Sequence, residues 1–149
     1  MCLCSYLYSA IFSGYLRTDD FKEYLLKFIE HTSIEIMPNW ALDLSLLTDE
    51  KDILKILSEY SIEEKYNENA DYSIQNVILG YYYWMYLEEK LDINIFLKKC
   101  CIINDDAYDI MYTCINQKNE LDKILFVNYN KFMQEAKRQY RIILSMAYQ

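Results

Sequence analysis

Two glycines, one proline and one histidine are all that 149 residues hold of those three types. Each shortage excludes something. A many-stranded β fold needs turn residues between its strands, and they are missing. Phosphate-cradling loops need several glycines in one short run, and neither a P-loop, a G-x-G-x-x-G nor a G-x-S-x-G occurs. The lone histidine, His31, falls at a predicted helix end, where the side chain serves the helix dipole more often than it serves as a base. The five cysteines (Cys2, Cys4, Cys100, Cys101, Cys114) are odd in number. That is a poor disulfide framework and fits a reducing cytosol. Zinc needs paired ligands two to four residues apart, and here Cys2 and Cys4 are too close, Cys100 and Cys101 adjacent, and His31 alone. No D-x-D-x-D-G calcium loop occurs. The expectation is a protein without metal, cofactor or catalytic residues, and not an enzyme.

Long apolar runs are also scarce. The opening MCLCSYLYSAIFSGYL lacks a cationic start, is diluted by serines and tyrosines, and is too short to span a bilayer. It reads as a first helix rather than a signal peptide, and no other stretch approaches membrane length. Positive charge is short too: the net charge is −8. From Lys123 onward five basic residues (Lys123, Lys131, Lys137, Arg138, Arg141) face only Glu135, which makes that tail +4 and leaves −12 for residues 1–122. Such a body repels nucleic acid and anionic membrane and attracts basic partners. Acid excess also keeps a tyrosine-rich chain in solution.

What is abundant is helix-spaced apolar side chain. The stretch Val77–Leu91 has no polar break except Gly80 until Glu88, and it holds four of the 16 tyrosines plus Trp84. A helix apolar on every side is normally a buried one. Before it, Leu3, Leu7, Ala10 and Ile11 form a first amphipathic stripe that Gly14 ends. Thr18 or Asp19 caps a second helix whose Phe21, Tyr24, Leu25, Phe28 and Ile29 share one face. Pro38-Asn39-Trp40 opens a short apolar segment with Asn39 as cap. Thr48, Asp49 and Glu50 start a helix with the stripe Ile53, Leu54, Ile56, Leu57 and Tyr60. Ser61 to Asp71 is polar and reads as an exposed connection, either irregular or part-helical, between a front and a back half. Asp92 caps a helix through Phe96 and Cys100. Asn104 or Asp105 caps another carrying Ala107, Ile110, Met111, Cys114 and Ile115. The last helix presents Phe126, Tyr129, Phe132, Met133, Ala136, Tyr140, Ile143, Leu144 and Ala147. The predicted fold is all-α: one irregular bundle over residues 1–149, of about six to eight helices around a central apolar helix at 74–91.

The residues left over for function are acids and tyrosines. Adjacent pairs such as Asp19-Asp20 and Glu88-Glu89 diverge on a helix and are explained by capping and solvation. Tyr60, Tyr66, Tyr72, Tyr108 and Tyr112 stand in or beside acidic runs, outside the core stripes apart from Tyr60. Tyrosine makes a good interface anchor, with a large contact area, a polar tip and little entropy to lose. Surrounding acids would steer a basic partner toward it. A genome rich in A and T supplies tyrosine codons freely, which is the plainer explanation. The candidate partner-binding residues are Glu59, Glu63, Glu64, Glu68 and Asp71 on one surface. On another are Asp105, Asp106, Asp109, Tyr108 and Tyr112, with Asp105 and Asp109 one turn apart.

Two segments add a resemblance. Gly14-Tyr15-Leu16 followed by Thr18-Asp19-Asp20, and the proline-led Pro38-Asn39-Trp40-Ala41-Leu42-Asp43-Leu44-Ser45-Leu46, resemble the opening of small all-helical bacterial immunity proteins. Leu91-Asp92-Ile93 leading into Asn104-Asp105-Asp106-Ala107-Tyr108 is similar in layout to their second half. Such proteins belong to polymorphic or contact-dependent toxin systems, where they bind and block a cognate toxin domain. The resemblance implies a cytoplasmic immunity protein, monomeric or weakly dimeric, against a basic toxin domain, a nuclease above all. No toxin-contacting residue carries over by match. A second resemblance is to poxviral Bcl-2-like proteins, also compact helical domains of this size with an apolar central helix. It implies an inhibitor or adaptor that takes a partner helix in a groove. Here no arginine follows the Trp84 region, and Gly80 precedes the aromatic run. If steering by acids is right, reversing charge at Glu63, Glu64 and Glu68 together slows association with the basic partner steeply at low salt, measured by stopped flow. An unchanged rate removes the steering argument.

Overall fold

The computed structural model describes residues 3–65, 72–104, 108–110, 112 and 120–146, with residues 64 and 65 as backbone alone. Every regular element among them is helical, and no strand occurs, as the sequence predicts. In chain order these are α1 (Leu3–Phe12), α2 (Thr18–His31), a 3₁₀ turn (Ile34–Ile36), α3 (Asn39–Ser45), α4 (Glu50–Lys65), α5 (Ile74–Leu87), α6 (Ile93–Ile103) and α7 (Leu121–Met146). Residues 108–110 and 112 are helical as well. No described helix is long and apolar enough to cross a membrane.

The chain divides into two compact units, residues 1–71 with 138–149, and residues 72–137. The first break falls at the end of the polar stretch expected to separate front from back. The first part of that stretch is helical, since α4 runs on to Lys65, and Ser61 is buried there where exposure was expected. Ser61 loses no hydrogen bond there: its hydroxyl donates to the Leu57 carbonyl at 2.6 Å.

In the first unit α1 packs along α4. Leu7 and Ala10 of α1 and Ile53 and Leu57 of α4 are fully buried, each larger side chain contributing about 2 kcal/mol. Two serines lie in this interface, and they are quenched locally. Ser9 Oγ donates to the Ser5 carbonyl and Ser13 Oγ to that of Ala10, each at 3.0 Å. Gly14 ends α1 with φ of +83°, the left-handed value for which the sequence needs a glycine. Neither Thr18 nor Asp19 caps α2. The cap position is Arg17, and Thr18 is already in the first turn. Phe28 stacks on Trp40 at 5.5 Å, joining α2 to α3. Tyr15 meets Tyr140 edge-on at 4.9 Å, and Arg138 donates to the Tyr6 hydroxyl at 3.3 Å.

The second unit is built on α5, in which every residue from Val77 to Tyr83 is buried, with Met85. Ser73 accepts from the Asn76 amide at its N-terminus, and Asp92 accepts from the Ile95 amide at that of α6, as predicted. Phe96 lies fully buried among Tyr83, Tyr86 and Tyr129, with ring centroids 5.2 to 6.3 Å apart. α5 stops at Leu87, four residues before the expected end. The amides of Glu89 and Lys90 return to the carbonyls of Tyr86 and Met85, and Glu89 takes a left-handed φ of 61°. This is a Schellman close with a glutamate where glycine is usual. Within this unit α7 buries Leu125, Tyr129, Met133 and Ala136, while Phe126, expected inside, is exposed; the part of α7 that belongs to the first unit buries Gln139 and Ile143. Ala147 lies outside the described residues, as do Ala107, Met111, Cys114 and Ile115.

Gly80 sets how close α5 and α7 come. A Cβ there would run into the carbonyl group of Phe132 and stand 2.8 Å from the Met133 nitrogen. Those are backbone atoms and cannot swing aside. Gly80→Ala therefore loses about 3 kcal/mol to overpacking, against a helix-propensity gain of about 1 kcal/mol. A lowered urea midpoint checks this, and equal or raised stability contradicts the close crossing.

Candidate functional site

The acidic face expected around the end of α4 is partly in view. Glu59 and Glu63 are exposed on that helix. Glu64 is in α4 with its side chain outside the described residues, and Glu68 and Asp71 lie wholly outside them, with Tyr66. Tyr60, on the same helix, is half-buried and committed. Its hydroxyl donates to Asp43 Oδ2 at 2.6 Å, tying α4 to α3. That bond to a carboxylate, followed by burial and the Asp43 charge, pushes the phenol up to about 12.

The second expected face is exposed where it is described. Tyr108 and Tyr112 are 56% and 70% open, and Asp109 is exposed beside them. Asp105 and Asp106 lie outside the described residues. The two expected faces belong to different units. Tyr72 is half-buried and meets Phe132 edge-on at 6.3 Å. His31 is exposed, with Nδ1 2.7 Å from the Lys27 carbonyl one turn back, so it serves the C-terminus of α2.

The sequence did not single out a third place, at the end of α5. An open notch of about 550 Å³ is lined by Tyr86, Leu87, Glu89, Leu91, Asp92 and Asp122. Its apolar part comes from the last turn of α5 and the link to α6. Its rim is three carboxylates, and no basic side chain stands among the described lining residues. Each acid arrives by a different route. Asp92 is the α6 cap, Asp122 opens α7 where the dipole favours a carboxylate, and Glu89 is turned out by its left-handed backbone. The neighbouring Lys90 is paired with Glu88 at 2.8 Å. A signal existed in Glu88-Glu89 and Leu91-Asp92, but read in order these looked like the place where a helix surfaces. Asp122 comes from thirty residues further along the chain, and its approach is tertiary.

Such a notch can hold a cation on an apolar stem. A lysine or arginine would lay its methylenes on Leu87 and Leu91, its charge near the rim and over the Tyr86 ring. It is not a metal cradle: among the described residues no group of three or more His, Cys, Asp or Glu is placed to hold an ion. Two smaller hollows are less telling. One of about 260 Å³ by Gly14, Arg17, Asp19 and Glu50 carries mixed charge around the buried Thr18 hydroxyl. The other, about 220 Å³, lies beside Leu79, Val127 and Phe132.

No described thiol lines the notch. Cys4 and Cys100 are buried and Cys101 half-buried, all as free thiols, while Cys2 and Cys114 lie outside the described residues. Burial pushes Cys100 up to about 12, although the neighbouring Tyr129 hydroxyl pulls the other way. Burial likewise raises Tyr82 to about 12, with the Cys100 charge adding to it. These groups are neutral in the fold and ionise earlier when unfolded, near 9.0 for the thiol and 10.0 for the phenols. Their contribution is whole below pH 9 and is lost as pH rises toward 12. Urea midpoints should be insensitive to these groups up to pH 9 and fall above it, less steeply in Tyr60→Phe, which removes one of them. An alkaline limb identical in that variant contradicts the Tyr60–Asp43 coupling.

No protein-family model, curated protein or solved structure matches the chain.

Proposed function

We propose that this protein is a non-catalytic binder of a basic protein domain, acting as the immunity partner of a bacterial toxin, with a nuclease domain as the first target to consider. The observation that carries the reading is the notch at the end of α5, an apolar floor rimmed by Glu89, Asp92 and Asp122. Its chemistry suits an arginine or lysine of a partner, and a nuclease displays such residues for the phosphates of its own substrate. An acidic protein that takes them up would block access for nucleic acid and compete by charge. The exposed Tyr108 and Tyr112 beside Asp109 fit the same class of partner as amphipathic anchors. The acid excess over residues 1–122 would speed encounter, an effect that salt suppresses.

Glu89 holds a left-handed conformation that costs a non-glycine residue about 1 to 2 kcal/mol. Strain of that kind is kept where a side chain is needed, which supports a role for its carboxylate in the notch. The test is growth. The product of the adjacent gene, produced alone, should arrest growth of the host, and co-production of this chain should relieve the arrest with a one-to-one complex on size exclusion. Reversing charge at Glu89 and Asp122 to lysine should abolish both rescue and complex while leaving the melting temperature within a few degrees. No rescue and no complex with the unaltered chain defeats the immunity reading. Full rescue by the doubly reversed variant removes the notch from it.

A further inference from the structure

The short helix α3 is apolar on two opposite sides, and only one of them is covered. Trp40, Ala41 and Leu44 point inward and are buried, with Trp40 stacked on Phe28. At 100° per residue the opposite side is that of Leu42 and Leu46. These two are 50% and 85% exposed. The 3₁₀ turn before α3 adds Ile34 and Ile36 at 92% and 74%. Single exposed leucines are ordinary; four large aliphatic side chains open within 13 residues of chain are not. None of the hydrogen bonds and ring contacts described above involves them.

Along the chain this face is flanked mainly by acids. Glu30, Glu35, Asp43, Asp49 and Glu50 are all exposed, and the nearest lysines stand at the two ends of that stretch, Lys27, which pairs with Glu23, and Lys51. Lys22 reaches in from α2 to donate to the Thr48 carbonyl at 3.1 Å, which reduces the excess without reversing it. Two copies meeting through this face would set Glu35 and Asp43 of one against those of the other, which weighs against self-association. The backbone also restricts the occupant. α3 satisfies its own hydrogen bonds and offers no edge for an added strand, so what docks must bring a backbone that is already satisfied.

We infer that the outer face of α3 with its preceding turn is a docking surface for a cationic amphipathic helix of a partner protein. Leucines of that helix pack across the Leu42–Leu46 ridge, and its flanking lysines or arginines face Glu35, Asp43 and Asp49. This rests on the reading of the protein as a binder of a basic domain and names the element by which that partner would be gripped. It uses residues distinct from the notch.

The test uses the full chain and a fluorescein-labelled peptide of about 18 residues, five turns of helix, with leucines on one face and lysines on the other. Fluorescence anisotropy should rise to saturation with the unaltered protein. A peptide of the same pattern with glutamate for lysine should not bind. Leu42→Gln with Leu46→Gln, which keeps helix propensity, should weaken binding at least about 10-fold, and Ile34→Thr with Ile36→Thr should do so independently if the first variant fails to fold. Amide shifts on titration should centre on residues 34–46. The inference is overturned by no binding, by equal affinity of the variants, by shifts centred elsewhere, or by an unliganded dimer that these substitutions dissolve. Since the peptide assay needs no toxin, its failure removes this face alone, and failure of growth rescue removes the immunity reading alone.

Discussion

The crossing of α5 over α7 at Gly80 is the constraint on which the second unit depends. With a hydrogen at Cα, the helix backbone comes up against the Phe132 carbonyl, and that close approach is what allows Tyr129, one turn earlier on α7, to reach Tyr83 and Phe96. Move the helices apart by a methyl group and the aromatic cluster loses its contacts, since dispersion falls off within an ångström. The first unit has no such point. It depends instead on α1 and α4 meeting through small and aliphatic side chains, with serines that bond to their own helix instead of asking for partners.

This difference explains what could be read in the chain and what could not. Apolar spacing located α1, α2, α4, α5, α6 and α7, because burial along one stripe leaves a period in the sequence. Ser73 was passed over as a cap and Asp92 identified, although both act in the same way. The end of α5 was set four residues too late, since the signal that normally marks such an end is a glycine and here it is Glu89. Phe126 was assigned inside because it fits the period of α7, but Leu125 occupies the inner position. Gly80 could be seen in the sequence; the atoms that require it could not, being 52 and 53 residues away.

The same limit applies to function. Single acids and tyrosines were legible as candidates, and Tyr108, Asp109, Tyr112, Glu59 and Glu63 are indeed at the surface. Tyr60, which also fits the core stripe of α4, is held by Asp43 and joins two helices, and its partner could not be read from the sequence. The notch and the α3 face come from arrangement: one unites three carboxylates from three helix boundaries, and the other is the uncovered side of the short apolar segment that Pro38 opens. Acidic and exposed apolar side chains therefore occur together in both units.

Gly14 and Glu89 do the same job at the ends of α1 and α5, one with the residue that backbone geometry favours and one without it. Glycine at position 89 would be among the simplest stabilising changes open to this chain, a single substitution relieving a left-handed glutamate. In a protein this sparing of glycine, position 89 is where thermal robustness and surface charge are set against each other in one residue.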